Sequence, residues 1–77
     1  MREMDESPLR EAGWMVRVVG GPGHVYGVPE PYLSDWLCTV PLRSIGLVIE
    51  GPKRDYYRVV FPGVTGWIRR GHLEECR

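Results

Sequence analysis

The segment Tyr56-Tyr57-Arg58-Val59-Val60-Phe61-Pro62-Gly63-Val64-Thr65-Gly66-Trp67-Ile68-Arg69-Arg70 constrains the fold more than any other part of the chain. Two runs rich in aromatic and β-branched residues flank a Pro-Gly pair, which is the pattern of an antiparallel hairpin. A third run, Ile45–Glu50, precedes them across Gly51-Pro52-Lys53-Arg54-Asp55, a second cluster of turn formers. Strands Ile45–Glu50, Tyr56–Phe61 and Gly66–Arg70 are therefore expected to form a meander. Closing Pro62–Thr65 as a four-residue loop pairs Phe61 with Gly66, Val60 with Trp67, Val59 with Ile68 and Arg58 with Arg69. Closing Gly51–Asp55 as a five-residue loop pairs Glu50 with Tyr56, Ile49 with Tyr57, Val48 with Arg58 and Leu47 with Val59. Side chains alternate along a strand. The inner face then collects Ile45, Leu47, Ile49, Tyr57, Val59, Phe61 and Ile68. The outer face collects Val48, Glu50, Tyr56, Arg58, Val60, Trp67 and Arg69. A slip of one residue mixes the two sets.

The same alternation occurs earlier. Gly13 releases a strand Trp14–Val19, with Trp14, Val16 and Val18 on one side and Met15, Arg17 and Val19 on the other. The connection Gly20–Ser44 carries Pro22, Pro29, Pro31 and Pro41, but also Val25, Tyr26, Val28, Tyr32, Leu33, Trp36 and Leu37. Structureless connections longer than about 12–15 residues are uncommon in a compact domain. This one is expected to fold back and pack, with a short strand or turn around Leu33–Leu37. After the meander, Arg70-Gly71-His72 reads as a tight turn and Leu73–Cys76 as a last short strand with Leu73 inward. Residues 1–12 are polar, with four acids against two arginines, and read as an N-terminal tail. A single helical turn opened by Ser7-Pro8 is the alternative there.

The reading is an all-β domain over 13–77: a small five-stranded barrel with a long, Pro/Gly-rich loop after its first strand. The stretches GLVIEG and DYYRVVFPGVTGWIRRGHLEE resemble the second half of SH3-like barrels, nearest to the bacterial type. In that pattern an apolar hairpin is followed by Gly-Trp-aliphatic, a polar turn and Leu-Glu. Here these are Gly66-Trp67-Ile68, Arg69–His72 and Leu73-Glu74. The resemblance covers about thirty residues and is shared by many small bacterial and phage proteins. It implies an SH3-like barrel in which Gly20–Ser44 is the long loop. The tyrosine-rich first-strand motif and acidic loop of eukaryotic proline-peptide binders are missing.

Composition narrows the class. Ten glycines and seven prolines in 77 residues speak against a helical bundle. Net charge is zero but unevenly spread: residues 1–50 hold four arginines against seven acids, and residues 51–77 hold six basic residues against three acids. Two cysteines make no disulfide framework, and no run approaches the roughly 20 apolar residues of a membrane-spanning helix. The expected setting is cytoplasmic, or a virion assembled in the cytoplasm, with reduced thiols and no membrane.

Several candidate sites have plainer explanations. Gly20-Gly21-Pro22-Gly23 follows a strand but leads into His24-Val25-Tyr26 rather than a helix, so it reads as a turn and not a phosphate cradle. His24, Cys38, His72 and Cys76 lack the paired spacing of structural zinc sites. Nothing singles out a catalytic trio such as Ser34, Asp35 and His72. No enzyme activity, cofactor or metal is expected.

The favoured function is a non-enzymatic protein-interaction or adaptor module, self-associating or built into a larger phage or bacterial assembly. Its contacts are assigned to the outer platform Tyr56, Arg58, Val60, Trp67 and Arg69, with Tyr32 and Trp36 from the long connection. Aromatic and arginine side chains are the usual interface anchors. The alternative is nucleic-acid binding, to RNA or a single strand, through Arg54, Arg58, Arg69 and Arg70 beside the aromatics.

Overall fold

A computed structural model of the chain describes residues 13–29 and 36–76. The expected tail over 1–12, the first part of the expected strand or turn at Leu33–Leu37, and Tyr32 lie outside the described residues.

The described residues are all-β. Seven strands, β1 (Trp14–Val18), β2 (Gly23–Tyr26), β3 (Trp36–Val40), β4 (Ile45–Lys53), β5 (Tyr56–Phe61), β6 (Val64–Arg69) and β7 (Leu73–Glu75), form one sheet in the order β3-β2-β6-β5-β4-β1-β7. Every pairing is antiparallel. A 3₁₀ turn at Arg70–His72 links β6 to β7. The sheet is open between β3 and β7, yet it curls around a single core. Val40 on β3 and Leu73 on β7 share that core with Trp14, Val16, Val18, Val25, Val48, Tyr57, Val59, Phe61 and Ile68. Backbone bonds tie β1 to the flanking connections: the Val18 amide donates to Ser44 O at 2.9 Å, and the Val19 amide to His72 O at 2.8 Å.

The sequence implied five strands, and the sheet has two more. Both lie within the connection Gly20–Ser44, and the second, Trp36–Val40, overlaps the end of the short strand or turn expected around Leu33–Leu37. Gly23–Tyr26 and Trp36–Val40 pair with each other, and Val25 and Val40 point inward. Each is only four or five residues long and punctuated by Gly or Pro, so its alternation is too brief to stand out.

The registers of the meander also differ from expectation. The β5–β6 turn is Pro62-Gly63 alone, and it sets Phe61 opposite Val64, Arg58 opposite Trp67 and Tyr56 opposite Arg69. Proline sets φ for the first turn position, and Gly63 supplies the positive φ (+87°) that the second position of such a turn demands. This slip is two residues, so Tyr57, Val59, Phe61 and Ile68 still face the core.

The β4–β5 hairpin is different. It turns at Arg54-Asp55, both with positive φ (49° and 69°), a combination that matches a primed hairpin turn. Irregularities on either side of Glu50 shift the register, which ends with Val48 opposite Val59 and Leu47 opposite Val60. The shift is one residue, and β4 turns over. Val48 is fully buried, whereas Ile45, Leu47 and Ile49, expected inside, are 42%, 38% and 39% exposed.

Space explains that reversal. With Val48 inward, residue 46 also faces the core. A Cβ there would stand 2.4 Å from Val59 Cγ1 and 2.9 Å from the Phe61 ring, so only glycine fits. Three branched aliphatics beside Tyr57, Phe61 and Trp14 would overfill the same volume, at about 1–3 kcal/mol for each poor fit. Turned outward, each aliphatic still buries more than half its surface and forfeits only part of the ~1.5–3 kcal/mol of full burial.

Candidate functional site

The outer face of the sheet divides into two parts. On one side β2 runs beside β6, with Tyr26 registered against Trp67. Gly66 permits that approach, since a Cβ there would lie 2.6 Å from both Tyr26 O and Val25 Cγ1. Trp67, expected on the outer face, is on that face but buried, at 7% exposure. The Lys53 ammonium stands 5.8 Å from the centre of its ring. A cation over an indole contributes about 0.5–1 kcal/mol at exposed sites. The cation over the tryptophan is thus the chain's one lysine rather than either expected arginine.

Tyr56 is buried as well and meets Tyr26 edge to face, with ring centres 6.2 Å apart at 89°. Burial raises the Tyr56 phenol above its ordinary pKa, against the opposing pull of Arg69. Its O–H therefore stays a donor. His24 and Tyr26 on β2, Tyr56 on β5, Arg69 on β6 and His72 in the 3₁₀ turn line one cleft of about 260 Å³. At its rim Trp36, 49% exposed, lies against His24 with ring centres 6.2 Å apart and planes tilted by 34°.

The expected confrontation of Arg58 with Arg69 does not occur, because the two-residue slip in β6 inserts Trp67 and Tyr56 as their partners. Arg58 instead pairs directly across the sheet with Glu50, Nη1 to Oε1 at 3.3 Å, and Lys53 reaches the other Glu50 oxygen at 3.4 Å. The hydrogen bond from Arg58 is the largest cause holding the Glu50 carboxyl below its ordinary range, with desolvation opposing it and Lys53 assisting. Arg69 Nε lies 3.8 Å from Asp55 Oδ2, an ion pair longer than a hydrogen bond. Arg54 occupies the β4–β5 turn, and Arg70 donates its amide to Asp55 O at 2.9 Å.

Val60 is set apart from this group. It faces outward opposite Leu47, which is in turn opposite Met15. With Ile45 and Ile49 these residues form an exposed aliphatic band across β1, β4 and β5.

The structure thus brings Tyr56 and Arg69 into one cleft, with Trp36 at its rim and Trp67 alongside, and separates Val60 from them. His24, Tyr26 and His72 complete the cleft and were absent from the sequence-based platform. The His24-Val25-Tyr26 alternation carried the only available hint. His24 and His72 share the cleft, while Cys38 and Cys76 are free thiols, and no cluster of three or more metal-ligating side chains occurs among the described residues. A wider depression of about 460 Å³ lies at the β1 end, where Arg17 and Glu74 already pair at 3.2 Å. Among the described residues no helix is long and apolar enough to cross a membrane. No family model, curated protein or solved structure matches the chain.

Proposed function

We propose that this chain is a non-enzymatic docking module of SH3-like architecture that grips a partner protein through the cleft of Tyr26, Tyr56, His24, His72 and Arg69. One observation carries the reading: aromatic walls, imidazoles and a guanidinium from four separate elements converge on one concavity. Such side chains act as anchors at interfaces because they bury large area with few rotors and keep a polar end for specificity. Two further features support the SH3-like part. The five strands expected from the sequence are consecutive neighbours in the sheet (β6-β5-β4-β1-β7), and the polar stretch before Leu73 is a 3₁₀ turn.

The nucleic-acid reading needs Arg54, Arg58, Arg69 and Arg70 as a phosphate-directed set. Glu50 and Asp55 stand beside two of them, which lowers the local positive potential that a phosphate backbone requires. Selection of a random peptide display library on the immobilised protein separates the readings. Docking predicts enriched peptides that shift the amide resonances of His24, Tyr26 and Tyr56. A chain that enriches no peptide, yet binds oligo(dT) or oligo(U) with steep salt dependence lost in Arg58→Ala/Arg69→Ala, is a nucleic-acid module instead.

A further inference from the structure

We infer that the occupant of this cleft is a carboxylate-bearing protein segment, an acidic side chain seated beside an apolar one. The inference rests on the docking reading and names its ligand.

Among the described residues, the lining of the cleft holds a guanidinium, two phenols and two imidazoles, and no carboxylate. That is a set of donors whose nearest negative charge, Asp55, stands behind Arg69 at 3.8 Å. Arg69 is suited to the central contact. Its side chain is 64% exposed, and Nε stands 3.8 Å from Asp55 Oδ2, beyond hydrogen-bond length. A planar guanidinium in this state can present two parallel N–H groups to a carboxylate.

His72 adds a second contact with a defined polarity. Its Nδ1 lies 3.2 Å from Val19 O. A carbonyl oxygen only accepts, so Nδ1 donates in this hydrogen bond and Nε2 is the second polar atom of the ring. A carboxylate bound in the cleft provides an acceptor for an Nε2–H. His72 lines the cleft together with His24 and Tyr26 on β2, Tyr56 on β5 and Arg69 on β6, with Asp55 behind Arg69. Among the described residues, none that lines the cleft is an acid.

Charge count favours a carboxylate over a phosphate. A phosphate monoester carries about −1.5 to −2 and is normally held by several cations. Among the described residues this cleft has one permanent cation, already shadowed by a carboxylate. A single negative charge matches it. The edge-to-face Tyr26–Tyr56 wall and the His24–Trp36 rim supply apolar area next to that charge, so the acid should be flanked by an aliphatic or aromatic residue.

The same display selection tests this with the full chain. Enriched peptides should share an Asp or Glu next to an apolar residue. Replacing that acid by its amide, or Arg69→Gln in the protein, should each weaken binding about tenfold, as loss of one charge-assisted hydrogen-bonded pair does. His72→Gln should weaken binding severalfold, with amide dispersion confirming that both variants fold. Peptides that map to the cleft but carry no acid and bind Arg69→Gln equally well would overturn the ligand class and leave the docking reading standing. Displacement of a selected peptide by inorganic phosphate at lower concentration than by acetate would overturn the carboxylate in favour of a phosphoryl group. Failure to enrich any peptide, or enrichment of peptides that leave the cleft resonances unmoved, would remove the docking reading itself.

Discussion

The outer face of the sheet carries two apolar regions that meet opposite fates. Tyr56 and Trp67, on β5 and β6, are buried although they point away from the core. Met15, Ile45, Leu47, Ile49 and Val60, on β1, β4 and β5, are all more than a third exposed. The difference lies in what neighbours each region. β2 runs beside β6, and Lys53 extends its stem and ammonium over Trp67. The aliphatic band spans strands in the middle of the sheet, away from β2. An outward aromatic here is a second small core with a cleft at its edge, and an outward aliphatic is simply surface.

Stability measurements can break or sharpen that contrast. The largest effect is expected for Trp67→Ala. Removing a buried indole costs about 3–5 kcal/mol in well-packed sites, whereas Leu47→Ala on the open band should cost under ~1 kcal/mol. Urea denaturation giving equal losses for the two would erase the distinction. Next comes Gly46→Ala, which forces a methyl group into Val59 and Phe61 and should cost about 1–3 kcal/mol. A neutral result would mean that β4 presents Leu47 inward after all, and the aliphatic band would cease to exist. Leu47→Lys and Ile49→Lys should each change thermal stability by no more than about 0.5 kcal/mol. A collapse of either variant in a thermal melt would show that something covers the band.

The smallest expected effect concerns pH. Glu50 has a depressed pKa in the folded chain, chiefly through its hydrogen bond from Arg58. A depressed carboxyl stabilises the fold above its unfolded pKa, and that contribution is lost as pH falls through the folded value. The stability difference between the wild type and Glu50→Gln should therefore shrink on acidification from pH 6 toward pH 3. It should also shrink with added salt, because the pair is exposed. A difference that is constant over this range would show that the Glu50–Arg58–Lys53 cluster contributes nothing to the distinction between the two regions.

How far the chain could be read from its residues varies strand by strand. On β1, β5 and β6 one parity is apolar enough to choose the inner face, and an error of two residues in the Pro62-Gly63 turn left that choice intact. On β4, Ile45, Leu47, Val48 and Ile49 offer aliphatics to both faces. Alternation alone cannot decide such a strand. The deciding facts were non-local: the volume left beside Phe61 and Val59, and irregularities near Glu50 that absorb one residue. The cleft was the least legible feature. Its residues come from positions 24, 26, 56, 69 and 72, and only Tyr56 and Arg69 stood within the stretch that announced itself.

The sequence by itself determined an all-β fold for the described residues, a β5–β6 hairpin with Tyr57, Val59, Phe61 and Ile68 inward, and a polar turn before Leu73. Each of these follows from side-chain alternation and turn chemistry acting over a few residues. Only the tertiary structure decided which side of β4 is buried, that β2 flanks Trp67, and that two histidines from distant segments share a cleft with Arg69. Those outcomes depend on filling one shared volume without overpacking it, a condition on the whole chain that no short window of residues contains.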